Sequence, residues 1–169
     1  AGDIIGLFDP GIFRIGDTIC QGETFEFTEM PYFSPEIFSR VTVKDSLKSK
    51  SFQKGINQLT EEGAIQVFHS FGTGIDQTIL GVVGVLQFEV LQYRMKAEYG
   101  VEVMLQRLPF QLVRWVRGED FDPRQFQSTS YACVKDRYGD TAVLFENEFS
   151  LRWAVDKHTS LKFVDHTRM

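Results

Sequence analysis

An α+β fold is what this sequence predicts: a few opening strands, then a β-α-β-β-α-β unit with a second, similar α/β half packed against it. Three observations predict it. Short apolar runs rich in β-branched and aromatic residues alternate with longer stretches whose apolar residues fall at helical spacing. Between residues 36 and 106 these runs follow the order of a split βαβ, or ferredoxin-like, unit. Between residues 110 and 165 the same order recurs as a pattern, without clear sequence identity. The composition supports a packed core, with 43% hydrophobic and 24% charged residues, both near the average of globular domains. Sixteen Phe against two Trp assign much of that core to Phe.

Residues 1–30 read as strands and turns. Ile4-Ile5-Gly6-Leu7-Phe8 is a short apolar strand. Asp9-Pro10-Gly11 is a turn, because Pro fixes φ and Gly supplies a positive φ. Ile12-Phe13-Arg14-Ile15 is the return strand and Gly16-Asp17 a second turn. Thr18-Ile19-Cys20 and Thr24-Phe25-Glu26-Phe27 are further strands. Short strands with no covering helix cannot close a core alone. Two readings stand: a small β-appendage, or the last hairpins of a β-barrel. Pro31 and Pro35, with Ser34 between them, mark a boundary. The expected division is 1–30 and 31–169, the latter with halves at about 36–106 and 110–165. The chain begins at Ala1 and reads as a piece of something longer.

Ile37 to Val43 is the first strand of the main region. Asp45 or Ser46 can cap the helix that follows, since a side-chain oxygen there accepts from the unpaired N–H groups of the first turn. On that helix Phe52, Ile56 and Leu59 form one apolar stripe, with Lys50, Lys54, Asn57 and Glu61 opposite. Gly63 can end it in a left-handed conformation. Ala64 to Phe68 and Thr78 to Val83 are strands, with a loop at Gly72 to Gly74. A second helix spans Val85 to Tyr99, ended by Gly100, and carries two stripes. Leu86, Val90, Tyr93 and Ala97 make one; Phe88, Leu91, Met95 and Tyr99 make the other, nearly opposite. A helix apolar on two sides is expected to be buried on two sides, and the second half would supply the extra layer. Val101 to Leu105 closes the first unit. The second contains strands at Phe110 to Val116, Tyr131 to Lys135 and Thr141 to Phe145. It adds a short helix at Pro123 to Gln127, a helix from Asn147 to Lys157 and a strand at Leu161 to Val164.

Charge and composition exclude several function classes. A net charge of −5 argues against a module that grips naked nucleic acid through a broad basic surface, though not against a local patch. Cys20 and Cys133 stand far apart without CxxC spacing, so neither a zinc site nor a disulfide framework is readable, and a reduced cytosolic compartment fits. No apolar run approaches the roughly 20 residues of a membrane span, and no signal peptide is seen. No GxxxxGK[ST] phosphate loop occurs. Gly72-Thr73-Gly74 is too short for one and lacks a Lys. Gly81-Val82-Val83-Gly84 lacks the third glycine of a dinucleotide fold and is read as close packing against the second helix. His69, His158 and His166 have no ligand-spaced neighbours. Glu61-Glu62 is read as a solvated helix end. No catalytic, cofactor or metal residue is assigned.

Two basic clusters remain. Lys44, Lys48, Lys50 and Lys54 crowd the start of the first helix, and Lys135 and Arg137 sit at a hairpin tip. They are either solvated charges, which are ordinary on surfaces, or local contacts to RNA phosphates.

Several stretches resemble a known family. Ala1-Gly2-Asp3-Ile4-Ile5-Gly6-Leu7 with Ile15-Gly16-Asp17-Thr18 is similar to the end of the second-domain β-barrel of translational GTPases. More specific are Pro31-Tyr32-Phe33-Ser34-Pro35-Glu36-Ile37-Phe38, then Lys44-Asp45 and Leu47-Lys48, then Gln58 to Phe68. Gly81 to Val90 and Lys96-Ala97-Glu98-Tyr99 add to them. Together they resemble bacterial peptide chain release factor 3, a class II release factor of the translational GTPase family. Beyond Pro109 the likeness rests on Arg114-Trp115-Val116 and Leu151-Arg152. Elongation factor G usually carries a His-Leu pair where this chain has Gln87-Phe88. It also has two further domains, where only about 60 residues follow Leu108 here, little more than half a typical domain.

The resemblance implies a role in translation termination: promoting GTP-dependent departure of the class I release factor from the ribosome. It implies that GTP or GDP with Mg binds a G domain this chain lacks, and that no family catalytic residue maps onto it. The implied partners are the ribosome, the class I release factor and the protein's own G domain, with no membrane. The implied task of this part is ribosome docking and coupling between domains. The rival reading is a stand-alone RNA-binding or small-molecule-sensing ferredoxin-like module. An RNA-stacking sheet would need an RNP-type run of aromatics, and none is found.

Overall fold

The computed structural model describes residues 2–8, 12–13, 17–25, 33–71 and 77–165. The chain divides into two compact units, Ala1–Tyr32 and Phe33–Met169. In the first, none of the described residues forms a strand, contrary to the expectation for Ile4 to Phe8 and Thr18 to Cys20. Ile4, Ile5, Phe8 and Ile12 stay exposed. The physical reason is that a strand persists only where a neighbour pairs its N–H and C=O groups, and an isolated hairpin is marginal in water. The turn at Asp9-Pro10-Gly11, the segment at 14–16, the residues 26–32, the loop at Gly72 to Gly74 and His166 lie outside the described residues.

The second unit is α+β, with three α-helices and one antiparallel sheet of eight strands. Its first half runs β1 (Ile37–Val43), α1 (Ser49–Glu61), β2 (Gln66–Ser70), β3 (Thr78–Val82), α2 (Leu86–Tyr99) and β4 (Val103–Arg107). Its second half runs β5 (Leu112–Arg117), a 3-10 turn at Pro123–Phe126, β6 (Tyr131–Asp136), β7 (Thr141–Phe145), α3 (Glu148–Lys157) and β8 (Lys162–Val164). The expected element order holds, except that the short helix of the second half is a single 3-10 turn. The sheet order is β4-β1-β3-β2-β6-β7-β5-β8. Read inward from either edge, the two halves have the same order of fourth, first, third and second strand. They meet where β2 pairs with β6, through Phe68↔Asp136, His69↔Lys135 and Ser70↔Val134.

Local chemistry sets the element ends. Asp45 accepts from the Leu47 N–H at 3.0 Å and opens a 3-10 turn at Ser46–Lys48 that leads into α1. Gly100, at φ 65°, caps α2 in the left-handed region, where glycine carries no Cβ penalty. Asn147 and Ser150 form a reciprocal capping box at α3. Phe33–Glu36 are held on the second unit: Gln66 donates to the Phe33 carbonyl at 3.1 Å, and the Glu36 N–H bonds the Val82 carbonyl at 3.1 Å.

Three apolar clusters fill the layers. Ile56 and Leu59 of α1, and Phe88, Leu91 and Met95 of α2, cover one face of β1–β4. The opposite face of that half, through Phe38, Phe68 and Ile79, packs against Val113, Trp115, Ala142 and Leu144 of the second half. Leu151 and Ala154 of α3 cover the outer face of β6 and β7 with Phe126, Cys133 and Phe145. The expectation that α2 is buried on two sides is therefore corrected. The second half covers the far side of the sheet rather than the outside of α2. Leu86, Val90 and Tyr93 are exposed by 67%, 50% and 74%.

Candidate functional site

Antiparallel pairing of β1 with β4 builds the basic surface. It aligns Val43 with Val103 and so sets Lys44 beside Glu102, whose carbonyl accepts from the Lys44 N–H at 3.1 Å. The Lys44 ammonium meets one Glu102 oxygen at 3.0 Å. Lys96, arriving from the last turn of α2, meets the other at 2.9 Å. These two ammonium groups, Lys96 first, hold the Glu102 carboxyl down at about 2. Lys48 donates to the Gly100 carbonyl, at the helix end whose dipole favours a cation. Lys50 and Lys54 are exposed one turn apart on α1, opposite the buried Ile56 and Leu59. Neither has an ion-pair or hydrogen-bond partner among the described residues.

The structure thus brings Lys44 and Lys48 together around the α2 C-terminus, with Lys50 and Lys54 following on the adjoining helix. It does not add Lys135 and Arg137 to them. Lys135 lies on β6, separated from β1 by β3 and β2, and its ammonium sits 5.3 Å from the centre of the Phe71 ring. The Arg137 guanidinium lies over Tyr138 at 5.2 Å. Each therefore has a cation–π contact of its own.

Lys96 and Glu102 were missed in the sequence. Lys96 is far from Lys44 along the chain, and only the β1–β4 register brings it in. The element order would have placed those two strands side by side, so the signal existed at the level of topology. Chemically, the surface offers several compact, strongly hydrated ammonium groups, with the Glu102 carboxylate between Lys44 and Lys96 and Asp45 next to Lys44. Such groups can act as point charges for phosphate oxygens.

Other candidates resolve into structure. A Cβ on Gly81 would lie 2.9 Å from Pro35 and 3.0 Å from Phe68, while Gly84 has open space. Close packing of Gly81 is thus against Pro35 and Phe68, which corrects the expectation of packing against the second helix. Glu62 is not merely solvated: it pairs with Arg94, which also pairs with Glu98 at 2.7 Å. Arg94 lowers the Glu62 carboxyl below its usual range. His158 packs on Phe126 with ring centres 4.7 Å apart, and burial, then Lys157, pushes it below the ordinary histidine range. Cys20 is exposed and Cys133 buried, both as free thiols. Burial, then Asp122, pushes the Cys133 thiol up to about 12. Among the described residues no group of three or more His, Cys, Asp or Glu could hold a metal ion, and no helix is long and apolar enough to cross a membrane.

Comparison with known proteins places this geometry in context. The sequence model of a family described as "Class II release factor RF3, C-terminal domain" matches residues 27–155. A curated relative from Symbiobacterium thermophilum, named "Peptide chain release factor 3", is 56% identical over 163 residues, covering 96% of this chain and 31% of the relative. A protein of the same name from Lactobacillus helveticus is 48% identical over 166 residues, covering 98% and 31%. Another from Streptococcus pneumoniae serotype 19F is 46% identical over 163 residues, covering 96% and 31%. The chain spans about a third of the length of these relatives.

Proposed function

This chain belongs to the class II release factor RF3 family, as its C-terminal domain, and from that premise we propose that it serves translation termination as part of a release factor 3-type protein. The parent would be a cytoplasmic translational GTPase that promotes GTP-dependent dissociation of class I release factors from the ribosome. GTP or GDP with Mg would bind a G domain outside this chain, which would itself have no catalytic role. Residues 1–30 would be the end of the second-domain β-barrel, and 31–169 the C-terminal α+β domain with two ferredoxin-like halves. This part would dock on the ribosome and carry its own placement to the G domain. Each would favour particular domain arrangements and so shift their populations.

The observation that carries the docking proposal is the lysine surface. In an acidic protein, Lys44 and Lys96 converge on the Glu102 carboxylate and Lys48 on the Gly100 carbonyl, while Lys50 and Lys54 have no partner among the described residues. Contact with ribosomal RNA phosphates would use such a surface, and its strength would fall as salt rises. Lys135 and Arg137 would be a secondary contact.

The test replaces Lys50 and Lys54 with Glu in the full-length protein and measures ribosome affinity across a salt series. Stability should barely change, because exposed charges contribute little. Affinity should fall at low salt, by roughly the 1 kcal/mol or more per phosphate contact that charge-assisted bonds supply. The difference should shrink at high salt. Equal affinities at low salt would show that these lysines are only a solvated face.

A further inference from the structure

A second surface feature lies on α2 and owes nothing to the lysines. Leu86, Val90, Tyr93 and Ala97 follow one another at i, i+4, i+7 and i+11, on the side of the helix opposite the buried Phe88, Leu91 and Met95. An outward helix face is ordinarily polar. Here its three large residues are all at least half exposed, and Val83 and Val85 extend the same apolar character into the turn before the helix. The charges on one flank are already matched, since Arg94 is held by Glu62 and Glu98. The result is an apolar centre with a polar rim whose Arg94 is already paired, the anatomy of a protein interface.

The stripe itself is apolar, and the cations on its flanks, Arg94 and Lys96, are already paired with Glu62, Glu98 and Glu102, which favours an apolar protein surface over RNA phosphates as the occupant. The length of the relatives points to what covers it. The relatives are about three times as long as this chain, and the matched part is 31% of each. A contact between domains of one polypeptide buries roughly 600–1,500 Å², a size that a four-residue stripe and its flanking turn can seed. We infer that the outer face of α2 is an interdomain contact, on which an apolar patch from the part of the same polypeptide outside this chain rests. The inference rests on the proposed membership of a longer release factor 3-type protein, but not on ribosome docking.

The test uses that full-length protein without ribosomes, with Cys20 and other reactive cysteines replaced. Single cysteines are introduced as Tyr93→Cys, Val90→Cys and, as a reference on the outer face of α1, Asn57→Cys. The rate of labelling by a small thiol reagent is measured for each. Positions 90 and 93 should label about tenfold or more slowly than position 57, reflecting protection that only local opening relieves. Adding Leu86→Glu should restore fast labelling at position 93. Labelling at 90 and 93 as fast as at 57 would overturn the inference. Protection that grows with protein concentration would assign the face to a second copy, and protection that appears only on adding ribosomes would assign it to a ribosomal component. Either result overturns the interdomain contact while leaving the lysine test untouched.

Discussion

Gln87 stands at the first turn of α2, where backbone N–H groups have no partner within the helix. Its Oε1 accepts from the Val83 N–H at 2.8 Å and the Gly84 N–H at 3.0 Å. Its Nε2 donates to the Ala64 carbonyl at 2.9 Å. One side chain therefore ties the turn before α2 to the segment after α1. Replacing it with Ala leaves two amides and a carbonyl without their partner. We expect Gln87→Ala to lower stability by about 1–3 kcal/mol, and Gln87→Glu, which keeps the acceptor and loses the donor, by less. Urea unfolding checks this, and an unshifted midpoint for the Ala variant would mean that water replaces all three bonds. In the sequence Gln87 was legible only as a departure from the His-Leu pair of elongation factor G. Its role depends on a carbonyl 23 positions away, which no local pattern announces. The lysines were legible as a local density, whereas Lys96 and Glu102 enter through strand register.

At the scale of the element, α2 separates what periodicity can say from what it cannot. Its two apolar stripes were legible, and so was its end at Gly100. Which stripe has a partner was not, because spacing identifies faces without identifying neighbours. Met95 and Leu91 are fully buried, and α1 comes close enough that a Cβ on Gly55 would lie 2.6 Å from the Met95 sulfur. The expected outcomes of truncation therefore split. Phe88→Ala should destabilise by about 3–5 kcal/mol, the range for a buried Phe. Leu86→Ala, on the exposed face, should fall within about 0.5 kcal/mol of the parent in this chain. Thermal or urea denaturation of the two variants decides the matter. Comparable losses would mean that the outer face is covered within this chain after all. The opening strands failed for a related reason: Ile4 to Phe8 has the apolar character of a strand, but strand formation depends on a pairing neighbour that composition cannot supply.

On the scale of the whole second unit, the two halves repeat one strand order and share a single sheet, yet among the described residues the strand pairing between them runs over three residue pairs, with one more bond from the Phe71 N–H to the Cys133 carbonyl at 3.4 Å. A seam that short could not by itself make the halves unfold together. A core shared by both halves can supply that coupling. Phe68 of β2 lies 6.0 Å from Phe38 and 6.3 Å from Trp115 by ring centres, so it belongs to the packing of both halves. Trp115 in turn donates to the Asp136 carboxylate at 2.9 Å, and Asp136 accepts from the Tyr138 and Asp140 N–H groups at 2.9 Å each, fixing the β6–β7 turn. The sequence carried the repeat as a pattern, but not this coupling, because Phe68 and Trp115 are far apart along the chain. Both Trp residues, Trp115 and Trp153, lie in the second half, while α1 and α2, two of the three helices, lie in the first. Tryptophan fluorescence therefore reports the second half, whereas far-ultraviolet circular dichroism is weighted toward the helices of the first. Their unfolding curves in urea should coincide, as a cooperative transition requires. Phe68→Ala should shift both curves together, with a loss of about 3–5 kcal/mol. If the dichroism curve moves to lower urea while the fluorescence curve stays, the halves unfold independently and Phe68 serves the first alone.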